Sequence, residues 1–361
     1  MEKPVLVRLS FADLSNSVPS CVKNMRKAAM LLYSLLIAAP GFAFTGQTAL
    51  DGLKVMTQTA PEAAPLTVPP VFSKAASGAE ITDEYTDFFK NADARFDAAA
   101  VEKLQKYKII LVPGFLSDVD ASQLPIPGAA LKPPQHFEEQ MDWLKASGAD
   151  YERLRMTSES SVRENSAIVS AAIRASSRPV ILIGHSKGGL DALEALLSDR
   201  SLREKVRGFV TLQSPFFGSP VADYVTSNND LYDLASGVLL TMGGNKDSMI
   251  NLTCADRKPY MAANAAAIAE ITAAVPVISV ATWKDSVHGQ IDTALEPVRD
   301  LLLVQGIRSD GVVPVDSALL PGADFVKLSG LDHGVTVSPS RYIKFDRVRF
   351  LKALLLTLFN R

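Results

Sequence analysis

The sequence predicts an α/β fold in which a mostly parallel sheet is covered by helices on both of its faces. Short apolar runs alternate with longer segments whose apolar residues recur at helical spacing, as at Phe137, Met141 and Leu144. This alternation is typical of βαβ units and therefore of parallel strands. A wholly apolar run such as residues 179–183 indicates a strand that is buried on both sides.

The individual elements follow from the same two periodicities. We expect strands at residues 108–112, 151–156, 179–183, 206–212, 275–281 and 325–328. We expect helices at residues 81–105, 136–146, 162–175, 190–197 and 260–274, and the start of another at 215–223. The predicted catalytic domain therefore spans residues 81–361.

Composition excludes several classes of function. The formal net charge is −2, so the chain has no electrostatic footprint for nucleic acid, and we expect no nucleic-acid partner. The sequence also lacks a phosphate-binding glycine loop and a zinc-type cluster of Cys and His. We accordingly expect no cofactor and no metal.

The N-terminal region has the pattern of a secretory signal peptide. Basic side chains precede an apolar run at residues 28–39, and small residues then lead to Ala43. We expect residues 1–43 to be a leader, with translation starting at Met25 and a signal peptide at residues 25–43. The protein would then be exported, to the periplasm or the extracellular space. An uncleaved membrane anchor is the weaker alternative, because a span needs about 20 apolar residues.

The segment after the leader is predicted to be a linker. Residues 44–80 are rich in Ala, Thr and Pro, which is typical of flexible connections. Cleavage of the leader would remove Cys21 and leave Cys254 without a disulfide partner. We interpret Cys254 as a small buried residue.

One motif points to chemistry. Gly184, Ser186 and Gly188 form a Gly-x-Ser-x-Gly sequence directly after an apolar run and directly before a helical segment. In this context the motif marks a sharp strand-to-helix turn that holds a nucleophilic serine above a sheet. We therefore predict that Ser186 is the nucleophile.

A serine nucleophile of this kind needs two N–H groups to stabilise the oxyanion. The first belongs to the residue after the nucleophile, Lys187, and the second to the loop after an early strand. Pro113 cannot donate because it has no N–H. We therefore predict an oxyanion hole formed by the backbone N–H groups of Phe115 and Lys187.

The base is predicted from the order in which such sites appear along the chain, which is serine, acid and then histidine. Of the four histidines, His333 follows the last predicted strand and is the favoured base. His136 precedes the serine. His185 lies inside the turn, where we expect it to pack or hydrogen-bond locally. We expect His288 to lie in a surface loop.

The acid is predicted to be Asp310. It lies in the segment Ser-Asp-Gly-Val-Val-Pro, where glycine allows a tight turn and the apolar residues bury the loop. A carboxylate there can orient His333 and stabilise its imidazolium. Asp285, Asp316 and Asp332 are the alternatives.

Taken together, the chain resembles the bacterial lipase and esterase branch of the α/β hydrolases. The resemblance is carried by four ordered segments, at residues 184–189, 211–223, 309–317 and 331–334. It implies the α/β-hydrolase fold with a helical cap insertion, here at about residues 215–274.

Three positions depart from the pattern of these lipases. Lys187 replaces the frequent Gln or Met after the nucleophile, and Pro113–Gly114 replaces the usual His-Gly. Val335 stands where several lipases carry a calcium-binding Asp, which favours a site without metal.

The sequence thus predicts an exported serine carboxylic-ester hydrolase that acts through an acyl-enzyme on an ester or lipid substrate. Transient contact with a lipid interface is part of this expectation. An acyltransferase, a polyhydroxyalkanoate-type polyester depolymerase and a non-catalytic binding module are the alternatives. A moving lid is a further hypothesis, with Gly243–Gly244 as its hinge.

Overall fold

A computed structural model describes residues 78–115, 117, 135–157, 160–227, 247–286, 292–293 and 295–361. Within these residues, six parallel strands form one sheet, with the order β2-β1-β3-β4-β5-β6. The strands are β1 (Lys108–Val112), β2 (Asp150–Arg153), β3 (Val180–His185), β4 (Val206–Leu212), β5 (Val277–Trp283) and β6 (Asp324–Ser329). The predicted parallel sheet is confirmed.

Helices connect the strands and cover the sheet. The described helices are α1 (Thr82–Lys90), α2 (Ala92–Arg95), α3 (Ala98–Leu104), α4 (Glu138–Ala146), α5 (Val162–Ala175), α6 (Lys187–Ser198), α7 (Pro220–Ser227), α8 (Asp247–Ile250), α9 (Cys254–Ala263), α10 (Ala265–Ala274), α11 (Glu296–Leu303) and α12 (Arg347–Phe359). Short 3-10 helices lie at Arg200–Glu204 and Val315–Ala318. In the part of the chain that the structure describes, no helix is long and apolar enough to cross a membrane.

The central strands bury side chains on both faces, as their apolar sequences require. Along β1, Ile109 and Leu111 join a core with the helices α1, α3, α4 and α12, whereas Ile110 and Val112 join the opposite core with α5, α6 and α10. Alternate residues of a strand point to opposite faces, so one apolar run serves two cores. The carboxyl ends of the strands are left for the loops that carry the candidate site.

The single helix predicted for residues 81–105 is wrong, because three short helices occupy this stretch. Asn91 ends the first, where its side-chain amide donates to the carbonyl oxygen of Asp87 over 3.0 Å. Asp97 begins the third, where its carboxylate accepts from the N–H of Ala100 over 3.0 Å. Short polar side chains compete with the helical backbone in this way and favour helix ends.

Several ends of the predicted elements also shift, and two of these shifts have a local explanation. Strand β5 begins two residues later than expected, at Val277, directly after Pro276, which has no N–H to donate. Strand β2 ends at Arg153, although Leu154 and Met156 are buried in the core beyond it. The apolar side chains of Leu154 and Met156 suggested a longer strand, but the last residue of β2 that pairs with β1 is Arg153.

The outer edge of β6 is covered by the chain that precedes α1. Glu80 pairs in parallel with Phe325, and the N–H of Phe325 donates to the carbonyl oxygen of Ala79 over 2.9 Å. Residues 78–80, which were predicted to end the linker, thus already contact the catalytic domain. The leader and the rest of the linker lie outside the described residues.

Two helices of the predicted cap, α9 and α10, contact the main domain. Met261, Ile268 and Ile271 belong to the same core as α5 and α6. Arg257 is buried and donates from Nε to the carbonyl oxygen of Phe216 over 3.2 Å. Helices α9 and α10 therefore pack into the main domain, while residues 228–246, including the predicted hinge, lie outside the described residues.

Candidate active site

Ser186 lies in the turn between β3 and α6, where the sequence predicts the nucleophile. Its backbone has a φ of 53° and a ψ of −127°, a conformation that non-glycine residues rarely adopt. The N–H of Ser186 donates to the carbonyl oxygen of Leu212 over 2.8 Å, which ties the turn to β4. A Cβ at Gly184 would lie 2.7 Å from the Cα of Gly189, so the close approach requires glycine. The predicted sharp turn is confirmed.

His333 reaches Ser186 from the loop after β6. Its Nε2 lies 2.9 Å from the Oγ of Ser186, although the two residues are 147 positions apart in sequence. The side chain of His333 is 14% exposed, so it is accessible from solvent as well as from the serine. A neutral imidazole in this position can accept the hydroxyl proton of the serine.

Asp310 contacts the other nitrogen of the same ring. Its Oδ2 lies 2.8 Å from Nδ1 of His333, and its Oδ1 accepts from the N–H groups of Val312 and Val313 over 2.9 and 2.7 Å. The main chain of the two residues is also joined, because the N–H of His333 donates to the carbonyl oxygen of Asp310 over 2.9 Å. The carboxylate is thus held in place and can keep the proton of His333 on Nδ1.

The alternative acids point elsewhere. Asp332 accepts from the hydroxyl of Thr293 over 2.7 Å and from the N–H groups of Gly334 and Val335, so it shapes the loop beside the histidine. Burial raises the pKa of Asp332, and the nearby carboxylate of Asp310 raises it further. Asp285 is exposed and lies 3.9 Å from Arg308, and Asp316 lies in the short 3-10 helix after the acid loop.

Two other histidines form a row of ring contacts that ends at the candidate base. The ring centroid of His185 lies 5.0 Å from that of His333 and 5.3 Å from that of His136. Burial lowers the pKa of His185 well below its ordinary range and lowers that of His136 to about 3, so both rings are neutral. His288 lies outside the described residues.

His185 packs in the interior, as expected, but its hydrogen bond is not local. Its Nε2 lies 2.8 Å from the carbonyl oxygen of His333, 148 positions away. A carbonyl can only accept, so Nε2 carries the proton and donates. The histidine inside the nucleophile turn therefore holds the main chain of the candidate base, which the motif alone could not indicate.

The two predicted oxyanion donors lie on adjoining segments. A Cβ at Gly114 would lie 2.7 Å from the Cβ of Ser186, and a Cβ at Gly188 would lie 2.2 Å from the carbonyl oxygen of Val112. The loop that carries Phe115 is therefore packed directly against the start of α6, which carries Lys187. Their proximity allows both N–H groups to serve one oxygen, and their role as donors stays a prediction.

The side chain of Lys187 has an unexpected position. It is 1% exposed, and its Nζ lies 3.0 Å from Oδ1 of Asp191, one turn further along α6. Asn165 on α5 adds a bond of 3.3 Å to the same carboxylate. Burial raises the pKa of Asp191 to about 6, although the Lys187 ammonium opposes this change. Lys187, the residue after the nucleophile, thus belongs to a buried ion pair. The sequence could have indicated this pair, because an acid lies four residues after Lys187, on the same face of the helix.

The remaining sequence predictions concern Cys254 and the metal position. Cys254 is buried and has a free thiol, as expected, and burial raises its pKa. Val335, where the resemblance led us to expect no calcium ligand, is buried in the loop after His333. Across the described ranges there is no cluster of three or more His, Cys, Asp or Glu that could hold a metal.

Comparisons with known proteins agree with this architecture. The family model for the PGAP1-like alpha/beta domain matches residues 137–254, a stretch that contains Ser186 and ends before Asp310 and His333. A metagenomic carboxyl esterase is 18% identical, with a TM-score of 0.62 over 82% of this chain and 97% of that chain. A lipase from Bacillus licheniformis in its mature form is 24% identical, with a TM-score of 0.49 over 63% of this chain and 85% of that chain. No curated protein matches the sequence.

The fold and the comparisons define the class of protein. The chain has the α/β-hydrolase fold, and the matching family model describes an alpha/beta domain. At this level of identity the solved structures establish the fold alone. What the protein does must be argued from the chemistry of its own site.

Proposed function

We propose that the protein is an exported serine carboxylic-ester hydrolase that works through an acyl-enzyme. The observation that carries the proposal is the continuous chain of contacts from Ser186 Oγ through both ring nitrogens of His333 to Asp310. Nucleophile, base and orienting acid in hydrogen-bond reach are the arrangement that activates a serine hydroxyl. A binding module would have no need for this arrangement.

In the first half of the reaction, Ser186 Oγ attacks the acyl carbonyl carbon while Nε2 of His333 takes the hydroxyl proton. Asp310 stabilises the resulting imidazolium through Nδ1. The N–H groups of Phe115 and Lys187 stabilise the negative oxygen of the tetrahedral intermediate. The intermediate then collapses, the ester C–O bond breaks, and His333 gives its proton to the departing alcohol.

In the second half, water attacks the acyl-serine and His333 again takes the proton. Collapse of the second intermediate releases the carboxylic acid and returns the proton to Ser186 Oγ. All the groups that this cycle needs are side chains and N–H groups of the protein. Export rests on the signal-peptide pattern at residues 25–43.

A fluorophosphonate probe tests the central step. The probe should phosphonylate the purified protein once, and peptide mass spectrometry should place the adduct on Ser186. Prior incubation with a p-nitrophenyl ester should slow the labelling, because the substrate occupies the same serine. An adduct on another residue, or no adduct in folded protein, would contradict the proposal.

The lipase-like part of the proposal concerns the acyl chain. A series of p-nitrophenyl esters from acetate to palmitate should show a preference for medium or long chains over acetate. Hydrolysis of emulsified triacylglycerol would support transient contact with a lipid interface. If acetate is the best ester and the emulsion is untouched, the protein acts on soluble esters instead. Product analysis with an added alcohol separates hydrolysis from acyl transfer.

A further inference from the structure

Gln213 follows β4 directly and has an unusual backbone. Its φ is 55°, a value that is unfavourable for a long side chain, and the residue is fully buried. Its N–H nevertheless continues the sheet, because it donates to the carbonyl oxygen of Val280 over 2.8 Å. The preceding residue, Leu212, accepts the N–H of Ser186. The main chain at this point is therefore tied directly to the nucleophile.

The side chain of Gln213 joins this point to the loop of the candidate base. Its Nε2 donates to the carbonyl oxygen of Asp332 over 2.8 Å and to the hydroxyl of Thr282. Its Oε1 accepts from the hydroxyl of Thr336 over 2.7 Å. Asp332 immediately precedes His333, and Thr336 follows it by three residues. The side chain of Gln213 thus binds the loop of His333 both before and after that residue.

The amide of Gln213 satisfies all of these partners. The carbonyl of Asp332 can only accept, and the Thr336 hydroxyl donates its proton to Oε1, so the side chain of Gln213 serves as donor and acceptor at once. All three partners are buried, and none of them can turn to water when the amide is lost. The unfavourable φ of Gln213 is consistent with a residue whose direction is dictated by its side-chain bonds.

We propose that Gln213 is a positioning residue that fixes His333 relative to Ser186. The inference rests on the proposed function, because it assigns a role toward the base of that reaction. Two other bonds hold the main chain of His333, from His185 Nε2 to its carbonyl oxygen and from its N–H to Asp310. Gln213 adds the bonds that join the flanking residues to β4. Without them, His333 keeps its bond to Asp310 but is no longer held at a fixed distance from Ser186.

Two substitutions test the proposal in different ways. Gln213→Glu keeps the length and the acceptor for Thr336 but replaces the donor to Asp332 with an oxygen. Gln213→Asn tolerates the positive φ better but is one carbon too short to reach the loop. Both variants should lower kcat for a p-nitrophenyl ester at least tenfold while KM changes less than twofold. The rate of fluorophosphonate labelling should fall by a similar factor.

Thr211→Val is the matched control. Thr211 is also buried on β4, and its hydroxyl donates to Ser279 over 3.3 Å, without contact to the histidine loop. Its loss should lower the melting temperature but leave kcat within twofold of the wild type. The proposal fails if both Gln213 variants keep kcat within twofold, or if the control loses as much activity as they do. If the wild type neither hydrolyses the ester nor takes up the label, the proposed function itself fails.

Discussion

Asp310 contacts Nδ1 of His333 at 2.8 Å, whereas Asp332, the residue next to that histidine, bonds to Thr293 and to its own loop. The difference predicts unequal effects of substitution. Asp310→Asn should lower kcat by about 10⁴-fold, because an amide favours the wrong tautomer of the histidine. Asp332→Asn removes a buried carboxylate of the same loop and serves as the control. Steady-state kinetics with a soluble ester measure both, and equal losses would contradict the assignment.

Ser186→Ala should abolish ester hydrolysis and fluorophosphonate labelling, because it removes the attacking oxygen. The fold should survive, since among the described residues the Oγ of Ser186 bonds only to His333, and the melting temperature should stay within a few degrees. Ser214→Ala is the control, because Ser214 is buried nearby and its hydroxyl has no hydrogen-bond partner among the described residues. Turnover by well-folded Ser186→Ala protein would remove the basis of the proposed function.

The buried pair of Lys187 and Asp191 predicts a stability effect that can be separated from catalysis. Lys187→Met leaves the carboxylate without its cation and should lower the free energy of unfolding by about 3–5 kcal/mol at pH 8. The penalty should be smaller at pH 5, because burial raises the pKa of Asp191 and the acid can then fold protonated. Urea unfolding at the two pH values measures this change.

The double variant Lys187→Met with Asp191→Leu completes that test. It replaces both charges with apolar side chains, and such exchanges are often neutral or stabilising. It should recover most of the loss seen in Lys187→Met alone. A double variant that is as unstable as the single one would show that packing, and not the unpaired charge, explains the loss.

Buried histidines predict that the protein loses stability in acid. Burial lowers the pKa of His136 from an ordinary 6.5 to about 3, so between these values the unfolded chain binds a proton that the folded chain does not. The free energy of unfolding should therefore fall as the pH falls below about 6.5, by at most about 1.4 kcal/mol per pH unit from this ring. His136→Phe keeps the ring contact with His185 but cannot titrate.

Urea unfolding at pH 7.5 and pH 5.0 measures this linkage. The wild type should lose about 2 kcal/mol more than His136→Phe over this interval. Parallel losses in the two proteins would show that His136 is not the group responsible.

Calcium should be dispensable for activity and stability. Position 335 carries a buried valine, and no other described cluster offers three metal-binding side chains. A chelator should leave both the melting temperature and the rate of ester hydrolysis unchanged. A large loss that added calcium restores would contradict this prediction.

Much of the fold could be predicted because strands and helices follow from local patterns of apolar residues. The apolar runs at β1, β3 and β4 need only a few consecutive residues to be recognised, and their predicted positions agree with the structure to within two residues. Ser186 was predictable for the same reason, since two nearby glycines and the flanking strand and helix define its turn. The three-part break of the 81–105 helix was missed because it depends on the individual bonds of Asn91 and Asp97.

The sequence by itself thus determined the parallel sheet, the nucleophile turn and a short list of candidates for the acid and the base. Only the tertiary structure decided which of them meet. The bonds from Ser186 to His333, from His185 to His333 and from Gln213 to Thr336 join residues 147, 148 and 123 positions apart. Hydrophobic periodicity indicates which face a residue occupies, but it carries no information on where a distant loop docks. That docking depends on buried hydrogen bonds whose partners become neighbours only when the strands align side by side.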